Sequence, residues 1–334
     1  MANGLYSYER SYKKAYVGQI TNIAKRLQQH AASKDKDFDT ATIISHDEFN
    51  GSVITDYEHR LIMLMAADGK YKLTNKNEGR YDRNYFSKEE YAQMFENLWN
   101  ELRKNNLVNK TIKELEESEI FKYSPYKELN SEQEQALEEN LNIIKSRYSE
   151  TEKSLSENNK APIVVKGMSG TGKTILLIYL LKLLKDNENY KHLKIKIVQP
   201  EAQLRATLQD AVKTIPGLTK NDITAPTDLS KPEIGYVKGE NDFDILLVDE
   251  AHKLKQRQNI VNYANYDKTN KAIYQDMDKE KVKEKTQLDW VMKQAKIPIF
   301  FYDPLQSIRP SGIYQKDYNE ITDRAGTTNL QLHS

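Results

Sequence analysis

The segment VVKGMSGTGKT, residues 164–174, constrains the fold of this chain more than any other stretch. It follows a short apolar run and directly precedes ILLIYLLKLL at residues 175–184, so a predicted strand enters a predicted helix through a glycine-rich turn. Such glycines let backbone N–H groups surround a phosphate, and the helix N-terminus adds partial positive charge. The glycines are Gly167, Gly170 and Gly172. We therefore predict a nucleotide phosphate loop, in which Lys173 reaches the outer phosphates and Thr174 holds Mg²⁺. A chance Gly-Lys-Thr in an ordinary turn is the alternative, and it leaves the flanking strand and helix unexplained.

Four short apolar runs alternate with helical stretches in residues 129–334. The runs are APIVVK, LKIKIVQ, DFDILLVD and IPIFFYD, and each ends in a polar turn. Continuous apolar strands separated by helices indicate a parallel sheet covered on both faces. This part of the chain is therefore predicted to be an α/β domain.

An acidic pair, Asp249 and Glu250, ends the third run in ILLVDEAH. An aspartate at the carboxyl end of a strand can anchor the Mg²⁺ shell, and the following glutamate can orient and deprotonate the attacking water. Taken alone, the pair is equally well a strand ending in solvated acids. Since a phosphate loop precedes it in the same alternating pattern, we predict ATP with Mg²⁺ or Mn²⁺ as cofactors.

Together these motifs resemble superfamily 1 helicases. In LNSEQEQAL, Gln133 stands in the place of the glutamine that binds adenine in that family, and in FFYDPLQSI, Gln306 stands in the place of the γ-phosphate sensor. The segments DEAHKL and YDPLQSIRP are most similar to the Schlafen-type DNA/RNA helicase domain of bacteria, and the resemblance covers about residues 125–315. The resemblance implies a RecA-like P-loop NTPase lobe. It also suggests a nucleic-acid backbone contact by Arg205, for which a surface arginine on an amphipathic helix is the alternative.

The resemblance further implies a second RecA-like lobe that carries an arginine finger. Only 28 residues follow Gln306, and they contain no motif of that kind. We therefore expect residues 129–334 to be a lobe truncated before its partner. Without an arginine finger, hydrolysis is expected to be slower by roughly 10³- to 10⁵-fold. ATP binding through Lys173 with feeble hydrolysis is the expectation for this chain.

Residues 1–80 are predicted to form a small α/β unit. Strands are expected at GLYSY, AYVGQ and TATIISH, with helices at about residues 22–32 and from Asp56 to Ala67, the second ending at a cap glycine, Gly69. Residues 81–128 are charged and open with the capping-box spacing of Ser87 and Glu90. They are predicted to be a helical connector.

The triplets Gly4-Leu5-Tyr6 and Tyr16-Val17-Gly18 resemble the GIY-YIG endonuclease family, over about residues 3–80. The resemblance implies a metal-dependent nuclease in which Glu58 holds Mg²⁺ beside the leaving group. Arginine can brace a phosphate through two hydrogen bonds, and one carboxylate suffices because Mg²⁺ keeps most of its waters. The implied catalytic residues are Tyr6, Tyr16, Arg26, His30, Glu58 and Asn75.

Each of these nuclease residues also has an ordinary structural explanation. Tyr6 and Tyr16 are two of 21 tyrosines and suit any strand. Thr55 and Glu58 have the spacing of a capping box, so this carboxylate could close a helix N-terminus. The arginine and histidine, at i and i+4, could form a solvated helix face.

Composition limits the classes of function and cellular location that remain. The formal net charge of +1 gives no global signal for a polyanion, so a nucleic-acid surface must be local. The chain has no cysteine, which excludes disulfides and thiolate zinc sites and fits a reducing compartment. No apolar run is long enough for a signal peptide or membrane span. We expect a cytoplasmic protein; its oligomeric state is not indicated.

The sequence therefore predicts a metal-dependent nucleic-acid endonuclease coupled to an ATP-dependent helicase-like motor, in anti-phage defence or DNA processing. DNA is favoured over RNA as the partner, and the sequence leaves the choice between them open. Two alternatives stay open. One is a nucleic-acid-binding NTPase whose GIY-YIG module is inactive, and the other is a scaffold or signalling protein gated by ATP.

Overall fold

The chain is divided into two compact units, made mainly of residues 1–122 and 123–334. The computed structural model describes residues 4–10, 14–20, 40–75, 88–118, 129, 131–151, 161–213, 215, 217–237, 242–306, 311–324 and 326–332. In these ranges, none of the helices combines the length and the apolar character that crossing a membrane requires.

In its described residues, the first unit contains a four-stranded sheet and three helices. Its strands are β1 (Gly4–Arg10), β2 (Lys14–Ile20), β3 (Thr40–Ser45) and β4 (Lys72–Leu73), in the order β3-β1-β2-β4. The helices are α1 (Gly51–Asp68), α2 (Lys88–Lys104) and α3 (Ile112–Glu116). β1 pairs antiparallel with β2 and β3, whereas β4 pairs parallel with β2. The three strands expected from sequence are confirmed, and the predicted helix at residues 22–32 lies outside the described residues.

Helix α1 begins five residues before the predicted start at Asp56. Asn50 is its cap, and the Asn50 Oδ1 atom accepts hydrogen bonds from the backbone N–H groups of Ser52 and Val53 at 3.0 and 3.1 Å. The prediction missed this asparagine because it placed the helix start inside the apolar stripe, which already includes Val53. The predicted C-terminal cap is confirmed, since Gly69 has the left-handed φ of 70°.

The predicted helical connector does not stand apart from the first unit. Phe95 and Trp99 of α2 and Leu115 of α3 are fully buried, and they join the same core as Val53 and Tyr57 of α1. Where burial is described in α2 and α3, the charged residues are exposed except for the half-buried Arg103. The sequence prediction gave these charges more weight than the apolar stripe beneath. The helices of residues 88–116 are therefore part of the first unit's core.

The second unit confirms the predicted α/β domain with a parallel sheet. Its strands are β5 (Ile163–Gly167), β6 (Ile195–Val198), β7 (Ile223–Thr224), β8 (Phe243–Val248), β9 (Ala295–Tyr302) and β10 (Thr328–Leu332). All six are parallel, in the order β10-β5-β9-β8-β6-β7. The central strands β5, β8 and β9 are almost wholly buried, which explains their continuous apolar sequences. This is the arrangement expected for a RecA-like P-loop NTPase domain.

Helices connect these strands. They are α4 (Ser131–Thr151), α5 (Lys173–Asp186), α6 (Ala202–Val212), α7 (Tyr263–Ile273), α8 (Lys279–Lys283), α9 (Gln287–Gln294) and α10 (Gln315–Thr322). Because the strands are parallel, the carboxyl ends of β5, β6, β8 and β9 meet at one edge of the sheet, where ligands of open α/β sheets bind. The predicted nucleotide residues lie at this edge.

Candidate active site

The turn between β5 and α5 requires glycine at several positions. Gly170 and Gly172 have φ angles of 85° and 83°, in the left-handed region that disfavours other residues. A Cβ at Gly172 would lie 2.1 Å from the Gln133 Nε2 atom, and one at Gly167 would lie 2.8 Å from the Thr171 Oγ1 atom. The loop therefore tolerates no side chain where its backbone must surround a ligand.

Lys173 folds into this loop. Its ammonium group donates to the backbone oxygens of Gly167 and Met168, both at 2.7 Å, and the residue is 5% exposed. Burial lowers the pKa of Lys173, and the nearby carboxylates of Asp303 and Glu250 oppose that shift. The ammonium group therefore lies beside the glycine loop at the N-terminus of α5. Phosphate oxygens bound there could replace the two carbonyl groups as its partners.

Asp249 directly follows β8 and is fully buried. Its Oδ2 atom accepts hydrogen bonds from the Thr174 hydroxyl at 3.0 Å and from the Gln199 amide at 2.8 Å. Burial and the adjacent Glu250 raise the pKa of Asp249 to about 6, while the bond from Thr174 opposes the shift. A carboxylate beside a hydroxyl is a donor set that suits a hard cation, so these residues fit Mg²⁺.

Glu250 has a backbone conformation that is rare for a residue with a side chain, with φ 49° and ψ 46°. Strain of this kind is often found at functional sites. The Oε2 atom of Glu250 lies 2.8 Å from His252 Nε2 and 3.5 Å from Lys253 Nζ. Burial would raise the pKa of Glu250, but His252, Lys253 and Lys173 outweigh it and lower that pKa. The carboxylate is therefore ionised near neutral pH and able to accept a proton.

The turn after β9 connects to this glutamate through His252. The backbone N–H of Asp303 donates to the His252 Nδ1 atom at 3.4 Å, and the Nε2 atom on the other side of the ring lies 2.8 Å from the Glu250 carboxylate. Gln306, the predicted γ-phosphate sensor, donates its side-chain amide to Asp303 Oδ2 at 3.0 Å. A chain of contacts thus runs from Gln306 to Glu250.

Sequence reasoning missed three buried polar residues of this site: Gln199, His252 and Asp303. Each one ends or follows an apolar run at the carboxyl edge of the sheet, a signal that could have identified it. The predicted Gln133 lies against the loop, and its Nε2 atom donates to the Thr171 carbonyl at 2.9 Å. The structure therefore brings Gln133, the loop glycines, Lys173, Thr174, Asp249 and Glu250 together.

Arg205 of α6 has a structural partner near this site. Its Nη1 atom donates to the backbone oxygen of Gln199 at 2.8 Å. This bond fastens the start of α6 to the end of β6. Its role as a nucleic-acid contact stays a prediction.

The nuclease residues predicted in the first unit are only partly described. Arg26 and His30 lie outside the described residues, and Tyr6 is described as part of β1, where it pairs with Gly18. Tyr16 lies on the face of β2 opposite to Ala15 and Val17, which pack toward α1. The described residues therefore do not bring Tyr16 and Glu58, which belongs to α1, onto one face of the sheet.

Glu58 and Asn75 both contact strand β2. The buried Glu58 accepts a hydrogen bond at its Oε2 atom from Gln19 Nε2 at 2.9 Å. Since Glu58 lies in the second turn of α1, it closes no capping box; Thr55 donates instead to the Gly51 carbonyl. The Asn75 side chain pairs with both backbone groups of Val17, at 3.1 and 2.7 Å, and extends the sheet edge. In the described part of the chain, no three His, Asp or Glu side chains form a metal-binding group.

Comparison with known proteins gives a matching family model and distant matches among solved structures. The family model described as Schlafen group 3, DNA/RNA helicase domain, matches residues 160–333. Among solved structures, AMPPCP-bound DnaA from Aquifex aeolicus matches at 16% identity with a TM-score of 0.29, over 63% of this chain and 50% of that chain. This chain therefore spans about half the length of that structure. No curated protein matches.

Proposed function

The chain belongs to the Schlafen group 3 DNA/RNA helicase domain family, and from this premise we propose that its second unit binds and hydrolyses ATP while acting on nucleic acid. One observation carries the proposal. The Thr174 hydroxyl and the Asp249 carboxylate are hydrogen-bonded beside the glycine loop, and the ionised Glu250 follows directly in the chain. This is the set of groups that phosphoryl transfer to water requires.

Each residue has a distinct task in this mechanism. Lys173 and the loop amides would hold the phosphates, while Thr174 and Asp249 would hold the metal. When bound, Mg²⁺ supplies charge neutralisation at the phosphate oxygens. Glu250 accepts a proton from the attacking water, and His252, whose Nε2 atom lies 2.8 Å from Glu250 Oε2, positions this carboxylate.

Nucleotide binding tests the proposal directly. We expect Lys173→Ala to abolish binding of a fluorescent ATP analogue, measured by anisotropy. The matched control is Lys191→Ala, since Lys191 is an exposed lysine in the loop before β6. Nucleotide affinity that is the same in wild type and Lys173→Ala would refute an ATP site at this loop.

We propose further that the first unit is a metal-dependent endonuclease of GIY-YIG type that prefers DNA, and that the whole acts in the cytoplasm in anti-phage defence or DNA processing. Support comes from the order of the motif residues and from Glu58. This carboxylate is buried, closes no helix end and contacts Gln19, the residue directly after the second triplet. Glu58 therefore does not act as a helix cap.

Cleavage assays separate this proposal from its rivals. Plasmid, single-stranded and branched DNA and RNA are incubated with Mg²⁺ or Mn²⁺ and wild-type protein, Glu58→Ala or Arg26→Ala. Glu116→Ala, an exposed acid of α3, is the control. We expect only the first two substitutions to abolish cutting. Metal-dependent cleavage that survives both would refute the assigned nuclease site.

Two alternatives predict other outcomes. Nucleic-acid binding without cleavage by the wild type favours an NTPase whose first unit is an inactive grip. ATP turnover that single strands do not stimulate, with no binding to nucleic acid, favours an ATP-gated scaffold. Turnover that is stimulated by strands argues against the scaffold.

A further inference from the structure

Gln199, the residue that follows β6, contacts the predicted metal ligand although no motif includes it. It is 0% exposed, and its Nε2 atom donates to the Asp249 Oδ2 atom at 2.8 Å. β6 and β8 are adjacent parallel strands, so their carboxyl ends place these two side chains together. A fully buried amide at hydrogen-bond distance from a buried carboxylate is a strong, charge-assisted contact.

The orientation of the Gln199 amide is fixed from its other end. Its Oε1 atom accepts the backbone N–H of Glu201 at 3.0 Å. The main chain of Gln199 is also held, because its N–H donates to Thr224 O at 2.9 Å and its carbonyl accepts from Arg205. A flip of the amide would turn its oxygen toward the Asp249 carboxylate and lose both side-chain bonds. The donor can therefore face only one way.

This contact distinguishes the two oxygens of Asp249. The Thr174 hydroxyl lies at 3.3 Å from Oδ1 and 3.0 Å from Oδ2, so it scarcely selects between them. Gln199 binds Oδ2 alone and thereby sets the rotation of the carboxylate. Resting on the ATP site proposed above, we propose that Gln199 is a positioning residue that presents Asp249 to Mg²⁺.

The chemistry of residue 199 can be varied with little change in volume. Gln199→Met keeps the length of the side chain and removes the donor. Gln199→Glu keeps the shape and turns a carboxylate oxygen toward Asp249, which adds repulsion. Partners that orient metal ligands typically contribute about 10- to 100-fold to metal affinity. We expect an effect in this range for Gln199→Met and a larger one for Gln199→Glu.

The test measures binding of a fluorescent, non-hydrolysable ATP analogue by the full chain, without turnover. Affinity is measured in EDTA and then during titration with Mg²⁺. Gln199→Met and Gln199→Glu should bind the analogue in EDTA as the wild type does, but should need about 10-fold more Mg²⁺ or higher for half-maximal enhancement. Two glutamines of α6 serve as controls. Gln209→Met removes a donor to the Ile223 carbonyl, and Gln203→Glu adds an exposed charge.

The outcomes are distinct. Wild-type Mg²⁺ dependence in both Gln199 variants, or an equal loss of affinity with and without Mg²⁺, would overturn the positioning role. Should Gln199→Glu fail to fold in thermal melting, Gln199→Met, which adds no charge, decides the question. Absence of nucleotide binding by the wild type, or binding that survives Lys173→Ala, would instead refute the ATP site itself.

Discussion

Replacing Asp249 with asparagine should stabilise the second unit of this protein at neutral pH. In the folded chain Asp249 is fully buried, and its pKa is raised from 3.8 to about 6, first by burial and then by Glu250. The folded state therefore binds this proton more tightly than the unfolded state. Stability from this group is complete below the unfolded pKa and is lost as pH rises through about 6.

The size of the effect follows from the shift. Two pKa units at 1.36 kcal/mol each correspond to about 3 kcal/mol of lost unfolding free energy above about pH 7. An asparagine has the shape of the aspartate and no charge. Its carbonyl oxygen, placed at the Oδ2 position, can accept the bonds from Gln199 and Thr174. We expect Asp249→Asn to be more stable by up to about 3 kcal/mol near pH 8, and equal to wild type below about pH 4.

Urea denaturation in EDTA, followed by tryptophan fluorescence, measures this difference. The chain has two tryptophans: Trp99 belongs to the first unit and Trp290 to the second. A Trp99→Phe background leaves Trp290 as the reporter. Asp244→Asn, on the same strand, is the control, since it loses the pairing with Lys296 and should not stabilise. An Asp249→Asn protein no more stable than wild type near pH 8, or a gain that persists near pH 4, would refute the reasoning.

Three further substitutions test the loop and the acids. Gly172→Ala should cost about 1–2 kcal/mol for its left-handed φ and displace the Gln133 amide; thermal melting should show partial relief by Gln133→Ala in the same chain. Glu250→Gln should bind ATP normally yet hydrolyse it about 100-fold more slowly in phosphate-release assays. Lys253 Nζ donates to Glu201 Oε2 at 2.5 Å, and in Glu201→Gln it would pair with Glu250 alone. ATP turnover should then fall while nucleotide affinity is unchanged, and an unchanged turnover would contradict this role of Glu201.

Some features of the first unit follow from local sequence patterns, and others depend on tertiary packing. The triplets around Tyr6 and Tyr16 predicted two strands correctly, because alternation and β-propensity are local properties. The start of α1 at Asn50 was missed, since a single cap residue is a weaker signal than an apolar stripe. The burial of Phe95 and Trp99 in the core was not predicted, because the charged residues on the surface of α2 dominate its sequence.

The sequence by itself determined the glycine loop, Lys173, Thr174 and the Asp249–Glu250 pair. Each of these motifs is a run of contiguous residues, so it can be recognised without the fold. A glycine-rich turn between a strand and a helix also has few functions other than binding phosphate. Only the tertiary structure decided that Gln199 contacts Asp249 and that His252 joins Asp303 to Glu250. Gln199 and Asp249 are 50 residues apart in the sequence, and His252 and Asp303 are 51 residues apart. The adjacent parallel strands β6, β8 and β9 bring them to one edge of the sheet. Strand order depends on how the helices cover both faces of the sheet, which no short segment records.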